Sequence, residues 1–368
     1  MEERFLGQLL LTGIPGPELD AATARRLRDL QPGGFILFSR NLRSPEQLRR
    51  LTDDLRDLSE FEPIITIDQE GGRVSRLRYI GNEPPNAVQL TAKGDAGLIH
   101  RHGELTARLL RLFGFNLDLC PVLDIGWDDS ADNSLRGRTW GQNPQQVVTN
   151  AGVFNRAMRG GGILSCGKHF PGYASADVDP HEELPVIRKS LEQMDAGELL
   201  PFSALLPELD SLMTCHSHYP CFDPDQPRLP ASLSRNIVTR LLRDRMGFEG
   251  LVMTDDLDMG AILKEVGFEQ TIQGAVMAGN DLLMICHRLE MVEEAKEHLK
   301  GVPGPALHLA LERVEAIKRK LRPPTAFSDS RFKQIDDDIW RLRVDTLGEE
   351  QAALLSDEDG KRSPVELY

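Results

Sequence analysis

The sequence predicts an α/β protein: a (β/α)8 TIM-like barrel in a single domain, with a C-terminal helical extension. Three observations lead there. The chain has 368 residues, and barrels of about 250 residues and more run as one domain. Eight short apolar runs recur along it. The stretches between the runs carry helical periodicity, so each run can be followed by a crossover helix.

The runs are Leu6–Thr12, Phe35–Ser39, Pro63–Asp68, Phe115–Val122, Ile163–Lys168, Ser211–Cys215, Gly250–Asp255 and Asp281–His287. They are continuous rather than alternating, as parallel strands buried on both faces should be. Ser44-Pro45 reads as an N-cap and a first-turn proline, followed by the stripe Leu48, Leu51, Leu55, Leu58. Val147, Ala151, Phe154 and Met158 form a second stripe, stopped by Gly160-Gly161-Gly162. Ser234 caps a helix carrying Ile237 and Leu241, and Gly247 stands where a C′ glycine belongs. An open doubly wound sheet fits less well, because the glycine-rich phosphate fingerprint is missing after the early strands. The barrel is expected over residues 1–322. Pro323-Pro324 breaks the pattern, and Arg331–Leu355 then reads as a helical arm with Phe332, Ile335, Ile339 and Leu342 on one stripe. Residues 323–368 are thus expected to form an arm and a loose tail rather than a second domain.

Composition narrows the function. Apolar residues are 40% and charged residues 27%, enough apolar material for a large core and against disorder. Lys and Arg number 43 against 57 Asp and Glu, a net charge of −14. So acidic a chain repels phosphate backbones, and nucleic acid is not expected as a partner. The basic cluster Lys318–Arg322 reads as a solvated helix end, where positive charge suits the helix dipole. The five cysteines are odd in number and scattered, which implies no disulfide framework. No apolar stretch is long enough to cross a membrane. The N-terminus has no basic region before its apolar run. A cytoplasmic protein, monomeric or weakly homo-oligomeric, is expected.

In a barrel enzyme the chemistry sits at the C-terminal ends of the strands. The third run ends in Asp68, the fifth in Lys168-His169 and the seventh in Asp255-Asp256. The sixth is followed by His216-Ser217-His218, and the loop after the fifth carries Asp177, Asp179 and His181. A carboxylate fixed on a strand end, as at Asp255, suits a nucleophile or an electrostatic stabiliser; it suits a helix N-cap equally, a role that fits Asp256 or Asp258 better. Asp179, two residues from His181, could hold the imidazole tautomer and leave Nε2 free for proton transfer; the bland reading is an acidic loop with an incidental histidine. Lys168 ends a buried strand, which is costly unless it is paired or faces a polar cleft. No HExxH or CxxC spacing is present, and His216 and His218 read as satisfied histidines at the barrel mouth. Neither a metal nor a cofactor is expected.

Taken together, these stretches resemble glycoside hydrolase family 3, and within it the single-domain β-N-acetylglucosaminidase branch of bacterial cell-wall recycling. The motifs are IDQEGGRVSRL at Ile67–Leu77, CPVLDI at Cys120–Ile125, GKHFPG at Gly167–Gly172, DPHEELP at Asp179–Pro185 and GFEGLVMTDDLDM at Gly247–Met259. The resemblance implies that Asp255 is the nucleophile, His181 the general acid/base and Asp179 its orienting partner. It also implies that Asp68, Arg76, Lys168, His169 and Arg138 (in GRTWG) bind the sugar. Relatives usually continue KHFPG with histidine and glycine, where this chain has Tyr173, Ala174 and Ser175; Pro180 stands where serine is usual, and Arg136 where relatives tend to be apolar.

The implied function is a retaining exo-glycoside hydrolase that removes terminal β-linked N-acetylglucosamine from peptidoglycan-fragment or chitooligosaccharide substrates through a covalent glycosyl-aspartate. A retaining glycosidase needs a nucleophile and an acid/base flanking the glycosidic bond, and here a histidine–aspartate pair would replace the second carboxylate. Two other readings stand beside it: a β-glucosidase of the same family, and a catalytically silent sugar-binding protein.

Overall fold

The computed structural model describes residues 3–127, 134–173, 184–226, 228–258 and 266–356. Eight parallel strands form its centre: β1 (Leu10–Gly13), β2 (Gly34–Leu37), β3 (Ile64–Ile67), β6 (Leu117–Asp118), β7 (Leu164–Phe170), β8 (Ser211–Thr214), β9 (Leu251–Thr254) and β10 (Leu283–Ile285). Their spatial order is β10-β1-β2-β3-β6-β7-β8-β9. The ring closes where Met253 bridges Leu282 in parallel and the Thr254 amide donates to the Leu282 carbonyl at 3.1 Å. A two-stranded antiparallel hairpin, β4 (Gln69–Gly71) and β5 (Val74–Ser75), rises from the end of β3. The expected (β/α)8 barrel is therefore the observed architecture. Its strands are buried from end to end, apart from half-buried Leu164.

The helices follow the sequence signals. Helix α1 (Ala21–Leu30) is capped by Asp20, whose carboxylate accepts the Ala22 and Thr23 amides. Helix α2 (Pro45–Asp57) is capped by Ser44, which takes the Gln47 amide, and it buries Leu48, Leu51 and Leu55. Helices α3 (Ala87–Lys93) and α4 (Ala96–Phe113) end at Gly94 and Gly114, both left-handed. Helix α5 (Pro144–Gly160) buries Val147, Ala151, Phe154 and Met158. Helices α6 (Leu191–Ala196) and α7 (Leu199–Leu205) lead to β8; α8 (Phe268–Ala278), α9 (Leu289–Leu299) and α10 (Gly304–Lys318) complete the ring.

Within the barrel three elements differ from expectation. Of the first run, Leu6–Thr12, the part up to Leu9 belongs to a 3-10 helix (Glu3–Leu9), and strand begins only at Leu10 (Leu10–Gly13). A buried apolar run has the same composition in either form, so periodicity cannot separate them. The fourth run pairs regularly only at Leu117–Asp118. Pro121 has no N–H for the ladder, and pairing resumes at the Val122–Lys168 bridge. The segment Asn236–Arg245 is helical as expected, and Ser234 Oγ accepts the Ile237 amide at 3.1 Å, but the winding is π-type.

Past Pro323 the chain crosses back over the barrel. Phe327 and Phe332 pack on Phe113, with ring centroids 6.2 and 5.6 Å away. Helix α11 (Asp329–Leu347) buries Ile335, Ile339 and Leu342 and lies against α4. A turn at Gly348 (φ 81°) separates it from α12 (Glu349–Ala352), so the expected helix Arg331–Leu355 is two helices. None of the helices described is long and apolar enough to cross a membrane.

Candidate active site

The strand ends bring a dense charge cluster to one mouth of the barrel. Lys168, on β7, donates from Nζ to Asp68 Oδ1 at 2.6 Å and lies 2.7 Å from Glu70 Oε1. Asp68 follows β3 directly, and Glu70 sits one residue into the hairpin. Arg138 reaches the same Glu70 with two bonds of 2.7 Å, from Nε and Nη2, and its Nη1 donates to the Ser134 carbonyl at 3.0 Å. Arg76, which begins the turn after β5, places Nη2 3.6 Å from Asp68 Oδ2. All five side chains are buried. Two carboxylates are thus held by three cations, which leaves net positive charge on this wall.

The cluster sets its own ionisation. Burial alone would raise the Glu70 pKa, but Arg138 and Lys168 outweigh it and hold the carboxyl well below the usual range. Burial alone would lower the Lys168 pKa; the Asp68 and Glu70 carboxylates reverse that and raise it. Asp118, beneath them on β6, is pushed up to about 7 by burial. Its Oδ1 accepts the Gln69 amide at 3.1 Å, while Oδ2 is buried without a hydrogen-bond partner.

Asp255 closes the opposite side. It follows β9 directly, its amide donates to the Thr214 carbonyl at 3.0 Å, and its Oδ1 accepts the Asp256 amide at 2.8 Å. Burial would raise its pKa, but His216, His169, the Asp256 amide and Lys168 outweigh that, and the carboxyl sits below its ordinary value. A strand-end carboxylate kept ionised amid cations and imidazoles, partly exposed at the mouth, has what a nucleophile needs. Asp256 takes the structural role: its Oδ1 accepts the Asp258 and Cys286 amides at 3.0 and 3.1 Å.

His169 is oriented by Asp124. That carboxylate takes His169 Nδ1 at 2.7 Å and the His169 amide at 3.0 Å through Oδ2, and the Tyr173 amide at 2.9 Å through Oδ1. An Nδ1–H bond to a carboxylate fixes the tautomer and leaves Nε2 as the acceptor nitrogen of the neutral ring. The Tyr173 ring stands edge-on to His169, with centroids 4.7 Å apart, and its hydroxyl lies 3.3 Å from Ser134 Oγ. His216 uses both nitrogens, with Nδ1 2.9 Å from Ser232 Oγ and Nε2 3.0 Å from the Asp256 carbonyl. His218 Nδ1 lies 3.1 Å from the Leu229 carbonyl. Among the described residues no group of three or more His, Cys, Asp or Glu is arranged to hold a metal ion.

The structure therefore brings Asp68, Arg76, Arg138, Lys168, His169 and Asp255 to one end of the barrel. His181 and Asp179 lie outside the described residues, as do Asp177 and Pro180. The described residues on either side of them are held at the mouth. Tyr173 is fixed by Asp124, and the segment after Leu184 pairs with His218, whose amide donates to the Pro185 carbonyl at 2.7 Å. Reading the sequence missed Glu70 and Asp124. Glu70 stands in the hairpin motif, two residues from Asp68. Asp124 lies just past an apolar run that ends at Val122, so a search confined to strand ends passed over it.

Comparison with known proteins agrees with this fold. Residues 2–317 match the glycosyl hydrolase family 3 N-terminal domain. A beta-hexosaminidase from Methylococcus capsulatus is 35% identical over 304 residues, which span 81% of this chain and 89% of that protein. The structure of a family 3 β-N-acetylglucosaminidase from Paenibacillus superposes with a TM-score of 0.86 at 29% identity, covering 94% of this chain and 69% of the other. Native NagZ from Neisseria gonorrhoeae superposes with a TM-score of 0.78 at 28% identity, covering 91% of this chain and 97% of the other.

Proposed function

The chain belongs to glycosyl hydrolase family 3, and from that premise we propose that it is a retaining exo-β-N-acetylglucosaminidase working through Asp255, His181 and Asp179. In the first step Asp255 attacks the anomeric carbon while His181 gives its proton to the leaving oxygen. The glycosidic bond breaks and an ester to Asp255 forms. In the second step neutral His181 takes a proton from water, the water oxygen attacks the same carbon, and Asp255 leaves as carboxylate. Two inversions retain the configuration. Asp179 orients the imidazole throughout.

Asp68, Arg76, Arg138, Lys168 and His169 hold the ring hydroxyls and the acetamido-bearing sugar. Acids that accept and cations that donate, fixed on rigid strand ends, suit recognition of the sugar hydroxyls. The observation that carries this reading is Asp255, held ionised opposite the Lys168–Asp68–Glu70–Arg138 cluster across one mouth. Residues 1–322 are read as the catalytic barrel and residues 323–368 as its arm and tail. Small N-acetylglucosaminides such as peptidoglycan fragments are the substrates, the location is cytoplasmic, and the state is monomeric or weakly oligomeric.

The test is turnover of 4-nitrophenyl N-acetyl-β-D-glucosaminide by the wild-type chain and by Asp255→Ala. Release of nitrophenol by the wild type and its loss in the variant are expected. Undiminished turnover by Asp255→Ala would remove Asp255 from the mechanism, and preference for the corresponding glucoside would replace the donor sugar.

A further inference from the structure

The C-terminal arm, beyond the residues that match the family, carries a buried charge network. Arg343 on α11 is 2% exposed and Glu83 is 1% exposed. Arg343 Nη1 donates to Glu83 Oε1 at 2.8 Å and to the Glu83 carbonyl at 3.1 Å; its Nε donates to the Ala352 carbonyl at 2.9 Å. Arg78 Nη1 donates to the other Glu83 oxygen at 3.1 Å, and Ser356 Oγ donates to Oε1 at 2.6 Å. Two turns earlier on α11, Asp336 accepts the Asn82 amide at 2.6 Å and its side-chain amide at 2.8 Å. A buried ion pair is a weak source of stability, because desolvation roughly cancels the attraction. What it does supply is geometry.

That geometry leads to the sugar wall. The Pro84 carbonyl accepts the Gly72 amide at 2.9 Å, at the turn between β4 and β5. Gly71 there has φ 113°, and a Cβ on it would lie 2.4 Å from the Pro85 carbonyl oxygen, so the two segments touch backbone to backbone. Asn86 presses on Gly72 and on Gly137, where added Cβ atoms would sit 2.7 Å from its Cβ and 3.2 Å from its Nδ2. The turn at Gly71-Gly72 separates Asp68 and Glu70 from Arg76, and Gly137 precedes Arg138. The segment held by the arm is thus the backing of the hairpin and of the arginine that share Glu70.

We propose that Arg343 is a positioning residue for sugar binding: through Glu83 it fixes the segment 82–86 against the hairpin carrying Glu70 and Arg76. The proposal rests on the site reading above. Misplacement of binding groups by even an ångström is costly. Because the affected groups touch the sugar and not the scissile bond, ground state and transition state weaken together, and KM rises while kcat holds.

The experiment measures KM and kcat on the 4-nitrophenyl substrate, and calorimetric Kd for N-acetylglucosamine, for the full chain and for Arg343→Ala and Arg343→Lys. KM and Kd are expected to rise together by about tenfold in Arg343→Ala, with kcat within about threefold of wild type. Arg343→Lys, which keeps one charged bond to Glu83, should recover most of that loss. Unchanged KM and Kd, with only a lower melting temperature, would overturn the proposal and leave the arm purely structural. If Arg343→Ala does not fold, Arg343→Met decides, since it keeps the bulk of the side chain and removes its bonds to Glu83: a parallel rise of KM and Kd supports the proposal and constancy of both overturns it. A wild-type chain that binds no N-acetylglucosamine overturns the site reading as well, whereas normal wild-type binding with unmoved variant constants overturns the proposal alone.

Discussion

Lys168→Met separates the ion pairing of this side chain from the sugar contact proposed for it. The ammonium is buried and touches both Asp68 Oδ1 and Glu70 Oε1, at 2.6 and 2.7 Å. Removing one partner of a buried ion pair generally costs about 3–5 kcal/mol, because a charge is left without its counter-charge. Here Glu70 keeps two 2.7 Å bonds to Arg138, while Asp68 keeps Arg76 at 3.6 Å. The stranded charge is mainly that of Asp68, so the loss should fall at the lower end, about 3 kcal/mol of unfolding free energy. Adding Asp68→Asn to the same background removes the stranded charge and should return most of that stability. Activity should not return with it. If each side chain makes the proposed sugar contact, kcat/KM should fall on the order of 10²-fold in the single variant and further in the double. Lys168 also helps to hold Asp255 ionised. Removing a cation raises the pKa of a neighbouring carboxyl, so the acid limb of the kcat/KM profile should move to higher pH. Urea unfolding and a pH–rate series measure all three effects. A Lys168→Met enzyme with kcat/KM within threefold of wild type and an unmoved acid limb would refute the reasoning, as would a double variant no more stable than the single.

Two further outcomes follow from the same site. His181→Ala should depress hydrolysis of a disaccharide substrate far more than that of an activated aryl glycoside, because only the poor leaving group needs protonation; equal losses on both, in steady-state kinetics, would take the acid role away from His181. Asp118→Asn should stabilise the fold in a pH-dependent way. Burial lifts this carboxyl from 3.8 to about 7, so the folded state binds its proton more tightly than the unfolded state. The native protein loses stability as pH rises between those values, by up to about 4 kcal/mol at 1.36 kcal/mol per pH unit. Asparagine can still accept the Gln69 amide and carries no such penalty. Its advantage in denaturant melts should therefore be small near pH 4 and full above about pH 7, and an advantage independent of pH would show that Asp118 is not the titrating group.

Much of the fold was legible along the chain because its signals are local. Ser44-Pro45, the Leu48–Leu51–Leu55 stripe and Gly247 act within a few residues, and they stand in the structure where the pattern put them. The failures have the same origin. Leu6–Leu9 is buried, and burial does not say whether a segment is strand or 3-10 helix. The break in the fourth run depends on Pro121 meeting a neighbour's ladder, which is a property of two strands. For the site, residue type at strand ends singled out Asp68, Lys168, His169 and Asp255. Arg76 and Arg138 came from the family resemblance, and Glu70 and Asp124 from neither.

The sequence by itself determined the alternation of strands and helices and the stock of acids, cations and histidines at the barrel mouth, because periodicity and residue type act over a few neighbouring positions. Tertiary structure decided which of those charges meet. Lys168 and Asp68 stand 100 residues apart in the chain and 2.6 Å apart in the barrel, and Arg343 reaches Glu83 across 260 residues. Ionisation followed from that closure, since the charge a buried group keeps depends on the water it loses and the neighbours it gains.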